Sequence, residues 1–368
     1  MKIERVKLFN YRNFSEEEVF LNPEVNVLRG QNAQGKTNFL ESIYLFSQAK
    51  SYRAASEKDL IKFGCDSFLL EMDFLTGDMP MHGEYKFSES EKREVKFNGI
   101  KASKNSLLSE HFKTVLFSPE EIDVIKGEKE LRRNLIDDAI CNLRPNYAKI
   151  LKDYNKCVKQ KNILLKKREL KNFDSMLDVW NLRLSEYGSR LMMYRGSFTR
   201  LLSQYAKLHM DELTEGKEEL LIKYVPFIEA ENTDNIEENK DLFNYSMEKY
   251  RRAEIERGQS LTGPHRDDIE FIINGNNVKL FGSQGQMRSC ILCVKLAMTE
   301  IIKDRCGFYP VLLLDDILSE LDKKRQSYLT DKIKGKQTII TCTGVSGLRR
   351  SKRTTFFTVE NGKITKEQ

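Results

Sequence analysis

The chain has 368 residues, 40% of them hydrophobic and 32% charged, and a formal net charge of +6. That length can bury a substantial core and suggests two domains, or one domain with a large insertion. No run approaches the roughly 18 apolar residues of a membrane span, and the opening MKIERVKLFNYRNF alternates like a strand where a signal peptide would be apolar, so a cytoplasmic protein with no membrane contact is expected. The seven cysteines are scattered as reduced thiols would be; Cys290 and Cys293 form a CxxC, but no second Cys or His pair lies near, and they read as a buried helix face.

In chain order, KIERVKLFNYRNF, EEEVFLN and EVNVLRG predict three strands, and GQNAQGKT leads into a helix whose Phe39, Leu40, Ile43 and Phe46 recur at helical spacing. FLLEMDF, HGEYKF and REVKFNGI predict further strands, the last ending in an Asn98-Gly99 hairpin turn. From about Pro119 to Arg257 long charged helices take over, beginning near KGEKELRR; Tyr147, Leu151, Tyr154, Val158 and Leu165 keep a heptad-like register. Within them LLIKYVPF is a candidate strand and EAENTDNIEENKD a solvated acidic loop. Strands return at DDIEFIING and NNVKLF around Asn274-Gly275. After the loop FGSQGQMRS come a helix from Met287, the buried strand PVLLLDD, a helix, the buried strand QTIITC and a last hairpin. Buried strands alternating with helices indicate a parallel sheet, giving an α/β protein with an inserted helical arm. The expected divisions are residues 1–118, 119–257 and 258–368.

The strongest motif is GQNAQGKT, residues 30–37, a complete G-x-x-x-x-G-K-[ST] between strand and helix. Gly30 and Gly35 permit the tight turn, and Gln31, Asn32, Ala33 and Gln34 supply backbone N–H groups. Lys36 reaches the β- and γ-phosphates, Thr37 is a candidate Mg²⁺ ligand, and Asn38 starts the helix. ATP is the expected ligand. In YPVLLLDD a buried strand delivers Asp315 and Asp316 to its carboxyl end, where ligands bind in open α/β sheets; Asp315 suits Mg²⁺ and Asp316 the attacking water, the alternative being that either acid only caps the following helix. Ser283, Gln284, Gly285 and Gln286, entering a helix, make a second anion site. One ATP cannot easily occupy two phosphate sites in one compact fold, but two protomers packed head to tail can share two ATPs, each held by the loop of one and Ser283 of the other.

GxNAQGKTN, FSPEE, LTGPHRDD, SQGQ-R and LLLDD-LSELD, in this order from residue 1 to about 345, closely resemble the RecF family of bacterial recombination and repair ATPases. The resemblance implies an ABC/SMC-like P-loop ATPase head, a mixed β-sheet lobe plus a parallel α/β lobe built from both chain ends, with a short helical arm. It implies that residues 30–37 are the Walker A loop, Asp315 the Walker B acid, Asp316 the hydrolytic acid, and Ser283 to Gln286 the signature loop acting in trans. Ser319, Glu320, Leu321 and Asp322 become the D-loop, and Arg12 and Asn13 of YRN approach the nucleotide. It further implies DNA binding at gaps or stalled forks by an ATP-dependent homodimer, and action with RecR and RecO to help load RecA, supporting replication and the SOS response.

Three departures from transport ABC ATPases suggest slow hydrolysis, in a DNA-stimulated nucleotide switch. Asp316 stands where Glu is usual, Thr341 or Thr343 stands at the switch His, and no Gln lies near FSPEE. From Lys149 to Lys171 nine Lys or Arg face two acids; Lys149, Lys152, Lys156, Lys159, Lys161, Lys166, Lys167 and Arg168 are candidate contacts to the backbone of duplex DNA, near a single-strand junction. His265 and Arg266 either approach the nucleotide or brace the hairpin. The alternatives are a transporter ATPase subunit, disfavoured by the long separation of Lys36 from Asp315, and a structural SMC-type tether, disfavoured by short arm helices without a CxxC.

Overall fold

Alternation along the first strand, β1 (Lys2–Tyr11), puts Ile3, Val6 and Leu8 inward, and the three-residue step from Ile3 to Val6 falls where its pairing register shifts, a bulge between Ile3 and Arg5. The computed structural model describes residues 1–102, 111–230, 232–344 and 353–367. These form two units: Met1–Glu121 with Ile291–Gln368, and Ile122–Cys290.

In the first unit β1 lies in an antiparallel sheet of order β2-β1-β4-β5-β6-β7, with β2 (Phe14–Phe20), β4 (Ser67–Thr76), β5 (Met79–Ser88), β6 (Lys92–Phe97) and β7 (Ile100–Lys101). The turn between β6 and β7 is the expected Asn98-Gly99, both residues at positive φ. A second sheet has the order β15-β14-β3-β13-β12-β8. Its strands β3 (Val25–Arg29), β8 (Thr114–Phe117), β12 (Val311–Asp315), β13 (Thr338–Cys342) and β14 (Thr354–Glu360) are parallel, and β15 (Lys363–Lys366) closes the edge as a hairpin. β12 and β13 are buried at every position, as two-sided burial in a parallel sheet requires. Helix α1 (Lys36–Gln48) contributes Phe39, Leu40, Ile43, Leu45 and Phe46 to one apolar cluster shared with both sheets. Each such side chain contributes about 1.5–3 kcal/mol by leaving water. Gln337 clasps β1 to the start of β13, accepting from Ile3 N at 2.5 Å and donating to Ile3 O at 2.7 Å.

The second unit is built on α2 (Lys129–Leu143), α3 (Pro145–Leu165), α4 (Phe173–Thr214) and α5 (Ile236–Arg257), with a sheet of order β11-β10-β9. The candidate strand LLIKYV is β9 (Leu220–Val225), and β10 (Asp268–Ile273) pairs antiparallel with it along its whole length. That pairing explains why residues 258–290, grouped from sequence with the C-terminal half, pack with the helical unit. Three other expectations change. The acidic tract becomes helical at Ile236, because the Asn235 side chain caps α5 by accepting from Glu238 N at 3.2 Å. NNVKLF contributes only β11 (Asn276–Asn277); a one-turn helix, Val278–Phe281, follows because Asn277 caps Lys279 N. The last long helix, α6 (Gln284–Cys306), starts three residues earlier than Met287. Cys290 and Cys293 are fully buried on it.

A buried polar network holds this unit. Arg195 of α4 makes a bidentate pair with Asp137 at 2.9 and 2.8 Å and reaches Asp267 Oδ2 at 3.0 Å and Pro264 O at 2.6 Å. Tyr147 donates to Asp137 and Tyr224 to Asp267, each at 2.5 Å. Among the described residues no helix is long and apolar enough to cross a membrane.

Candidate functional site

The parallel sheet sets the site by register. Asp315 at the end of β12 lies opposite Thr341 of β13, and Thr341 lies opposite Leu28 of β3, two residues before Gly30 opens the loop. The phosphate loop and both acids therefore emerge at the carboxyl edge of the sheet. Within the loop Gly35 has φ 116°, and a Cβ there would stand 2.6 Å from the Asn13 amide nitrogen; a Cβ on Gly30 would stand 2.3 Å from Val359 O. Gly30 is thus required by close approach to a backbone carbonyl, and Gly35 by its positive φ. Among the described residues no side chain caps α1, which leaves its first-turn N–H groups directed at the loop.

Lys36 is buried, and its ammonium donates to Gly30 O and Gln31 O at 2.7 Å each. Burial pushes its pKa down, and Asp316 acts against the shift. The Thr37 hydroxyl donates to Asp315 Oδ1 at 2.9 Å, closing a contact between residues 278 apart in sequence. Thr341 donates to the same oxygen at 2.8 Å and accepts from Asp316 N at 2.9 Å, so it joins the two acids. Thr343, the other residue considered at this position, is exposed beyond β13. Asp316 has a left-handed φ of 48°, held by that bond and by Ser319 Oγ donating to its carbonyl at 2.7 Å. Its Oδ1 is buried without a hydrogen-bond partner among the described residues.

Asn13 meets the loop directly, donating to Gln34 O at 2.9 Å and accepting from Asn38 at 2.8 Å. Arg12 is engaged elsewhere, with Nε and Nη2 donating to Glu41 at 2.9 and 2.8 Å and Nη1 to Asp59 O at 2.9 Å. Sequence reasoning missed three supports. Glu41 is a fully buried acid in α1, the tip of the β14–β15 hairpin donates from Asn361 N to Gln34 Oε1 at 2.6 Å, and the Tyr52 phenol donates to Asp315 Oδ2 at 3.0 Å. The Asn-Gly pair at 361–362 announces the hairpin but not its contact with the loop; Tyr52 belongs to no motif. Burial, then Asp315, raises the Tyr52 pKa, which keeps the phenol a donor.

The signature and D-loop segments are ordered by their own caps. Ser283 Oγ accepts from Gln286 N at 3.2 Å while Gln286 Oε1 accepts from Ser283 N at 2.9 Å, a reciprocal capping box that explains the early start of α6. Gln284, Gly285 and Gln286 are therefore first-turn residues, not loop. Gln286 also donates to Glu218 Oε1 at 2.9 Å. In the first unit Gln326 of α7 (Lys323–Lys332) donates to Leu318 O and Leu321 O at 2.6 and 2.9 Å, and Asp322 caps α7 through Arg325 N at 2.9 Å. That backbone bond leads the shift of the Asp322 carboxyl below its usual range.

Residues 2–365 match the family model described as the RecF/RecN/SMC N terminal domain. A DNA replication and repair protein RecF of Clostridium kluyveri is 40% identical over 368 residues, covering the whole of both chains. This chain belongs to the RecF family. A solved structure of the recombination mediator protein RecF with ATP in the RecFOR pathway is 30% identical and superposes with a TM-score of 0.93, covering 100% of this chain and 98% of that one. An Smc head domain from Pyrococcus furiosus, 15% identical with a TM-score of 0.56 over 100% of this chain and 96% of that one, shares the fold.

The basic segment of this RecF-family chain divides by burial. Lys149, Lys152, Lys156 and Lys159 are exposed at helical spacing on α3, and Lys166, Lys167 and Arg168 are exposed just beyond it. Arg168 donates to Glu256 O at 2.9 Å. Lys161 is fully buried and pairs with Glu254 at 2.7 Å, which removes it from the candidate DNA contacts. Of the two readings of the GPHRDD motif, the geometry within this unit is that of a brace. His265 meets Tyr154 at 2.8 Å, and burial lowers its pKa to about 4. Arg266 accepts from Lys129 through its carbonyl.

Proposed function

We propose that this RecF-family chain is an ATP-binding, DNA-binding protein of recombinational repair that works as a nucleotide switch in the cytoplasm. The observation that carries the proposal is the Thr37–Asp315 contact, which brings the hydroxyl of the phosphate loop and the first acid of β12 to 2.9 Å. A hydroxyl and a carboxylate so placed, in a strand–loop–helix with uncapped N–H groups, suit a hard cation held together with a triphosphate. Residues 30–37 would hold the phosphates of ATP, with Thr37 and Asp315 holding Mg²⁺. Mg²⁺ bound there supplies charge neutralisation at the β- and γ-phosphates. The free Oδ1 of Asp316 is the acceptor for an attacking water. Its side chain is one methylene shorter than Glu, and such a displacement is worth about 10²-fold in rate, so turnover is slow.

The Ser283 hydroxyl, which accepts from Gln286 N in the cap and keeps its own proton to donate, and the positive end of the α6 dipole are a second anion site, used in trans by an ATP-dependent homodimer. A charge-assisted hydrogen bond contributes about 1.5–3 kcal/mol. One such bond at each of two sites gives about 3–6 kcal/mol, or about 10²–10⁴ in dimer affinity, enough for loss of the γ-phosphate to open the dimer. The exposed lysines of α3 contact the DNA backbone, and RecR, RecO and RecA are partners in the same pathway. Equilibrium binding of a fluorescent ATP analogue tests the nucleotide site. Wild type binds in the presence of Mg²⁺, and Lys36→Met weakens binding by at least about tenfold; equal binding by the two proteins contradicts the assignment.

A further inference from the structure

Asp315 is held at both of its oxygens. Oδ1 accepts from the hydroxyls of Thr37 and Thr341, the two residues that register and motif bring to it, whereas Oδ2 accepts from Tyr52, which no motif names. Tyr52 follows α1 in a segment anchored on either side. Ser51 donates to Glu41 Oε1 at 2.5 Å, and Arg53 donates to Asn38 Oδ1 at 3.2 Å. The Tyr52 ring meets Tyr44 of α1 edge-on, with centroids 5.2 Å apart at 80°. The phenol is therefore fixed by its surroundings, and it in turn fixes the carboxylate. Without a donor on Oδ2, the Asp315 carboxylate is held at Oδ1 alone, by Thr37 and Thr341, and loses the second anchor that fixes its plane about the Cβ–Cγ bond.

We propose that Tyr52 is a positioning residue for divalent-cation binding, holding the Asp315 carboxylate in the orientation that pairs it with the Thr37 hydroxyl. The inference rests on the nucleotide and Mg²⁺ reading of the same site. Partners that orient a metal ligand without touching the metal change affinity by about 10–100-fold when removed. Tyr52→Phe deletes one oxygen and keeps the ring against Tyr44; Tyr52→Met deletes the phenol with a different shape and guards against an effect of the ring alone.

Binding of a fluorescent ATP analogue, titrated with MgCl₂ and repeated in EDTA, separates a metal effect from a general one. Both variants are expected to match wild-type binding in EDTA and to keep one cooperative urea transition, and to need at least about tenfold more Mg²⁺ for half-maximal enhancement of binding. Unchanged Mg²⁺ midpoints overturn the proposal. So does an equal loss of binding in EDTA and in Mg²⁺, which would mark a packing role. A wild-type protein that binds the analogue without any response to Mg²⁺ overturns the metal reading of Thr37 and Asp315 as well; a responsive wild type whose variants share its Mg²⁺ midpoint overturns the role of Tyr52 alone.

Discussion

A lysine with no exposure in the middle of a basic helix must be answered by a carboxylate, because an unpaired buried ammonium is too costly to keep. Lys161 has Glu254 at 2.7 Å, and Glu254 in turn accepts from Leu261 N at 2.8 Å, so the pair ties α3 to the end of α5. Burial lowers the Lys161 pKa, and Glu254 acts against the shift. Lys161→Met leaves Glu254 buried and uncompensated, and urea unfolding should show a loss of about 3–5 kcal/mol; adding Glu254→Leu should recover most of it. Lys156→Ala, on the exposed face, should stay within about 0.5 kcal/mol of wild type. The distinction was available in the sequence. Tyr154, Cys157, Lys161 and Leu164 follow helical spacing on the buried face, whereas the count of lysines and the seven-residue register led away from it. The phenol on Asp315 was not available, because a contact across 263 residues leaves no local pattern.

At the scale of elements, spacing on α3 decides what the remaining lysines can do. Lys149, Lys152, Lys156 and Lys159 step by three, four and three residues, which keeps all four on one exposed stripe. A stripe of point charges recognises phosphates without reading bases. With about six phosphates contacted, the plot of log affinity for duplex DNA against log salt should slope near −5, and alanine at all four positions should flatten it by about 3.5. A slope unaffected by those substitutions would place the contact elsewhere. Strands with alternating or wholly buried patterns and Asn-Gly turns were legible because their signals are local. The start of α6 was misplaced because Gly and Gln read as loop residues. The cap that makes them helical depends on the reciprocal bonds between Ser283 and Gln286, a Ser-x-x-Gln box present in the sequence but outweighed by the glycines. The Asn277 cap shortened β11 in the same way.

For the whole molecule, the two ends of the chain build one unit. β3 from the N-terminal part lies between β13 and β14 from the C-terminal part, and the middle of the chain forms the other unit. The alternation of buried strands and helices pointed to the parallel sheet, but the order β14-β3-β13-β12-β8 is set by long-range pairing and was not readable from any segment. Nor was the join of β10 to β9, which carries the signature residues into the helical unit. The loop of residues 30–37 and the cap at Ser283 thus belong to different units, and in the proposed dimer they meet in pairs of molecules around ATP.

Light scattering after size-exclusion chromatography reads out that dimer, using wild type, Lys36→Met, Ser283→Arg and an equimolar mixture of the two variants. With ATP and Mg²⁺, wild type should dimerise and each variant alone should remain monomeric. The mixture should form a heterodimer weaker than the wild-type dimer, because one of its two composite sites keeps both an intact Lys36 and an intact Ser283. A Ser283→Arg protein that dimerises with ATP by itself, or a wild-type dimer indifferent to ATP, would rule out ATP shared between the loop of one protomer and Ser283 of the other.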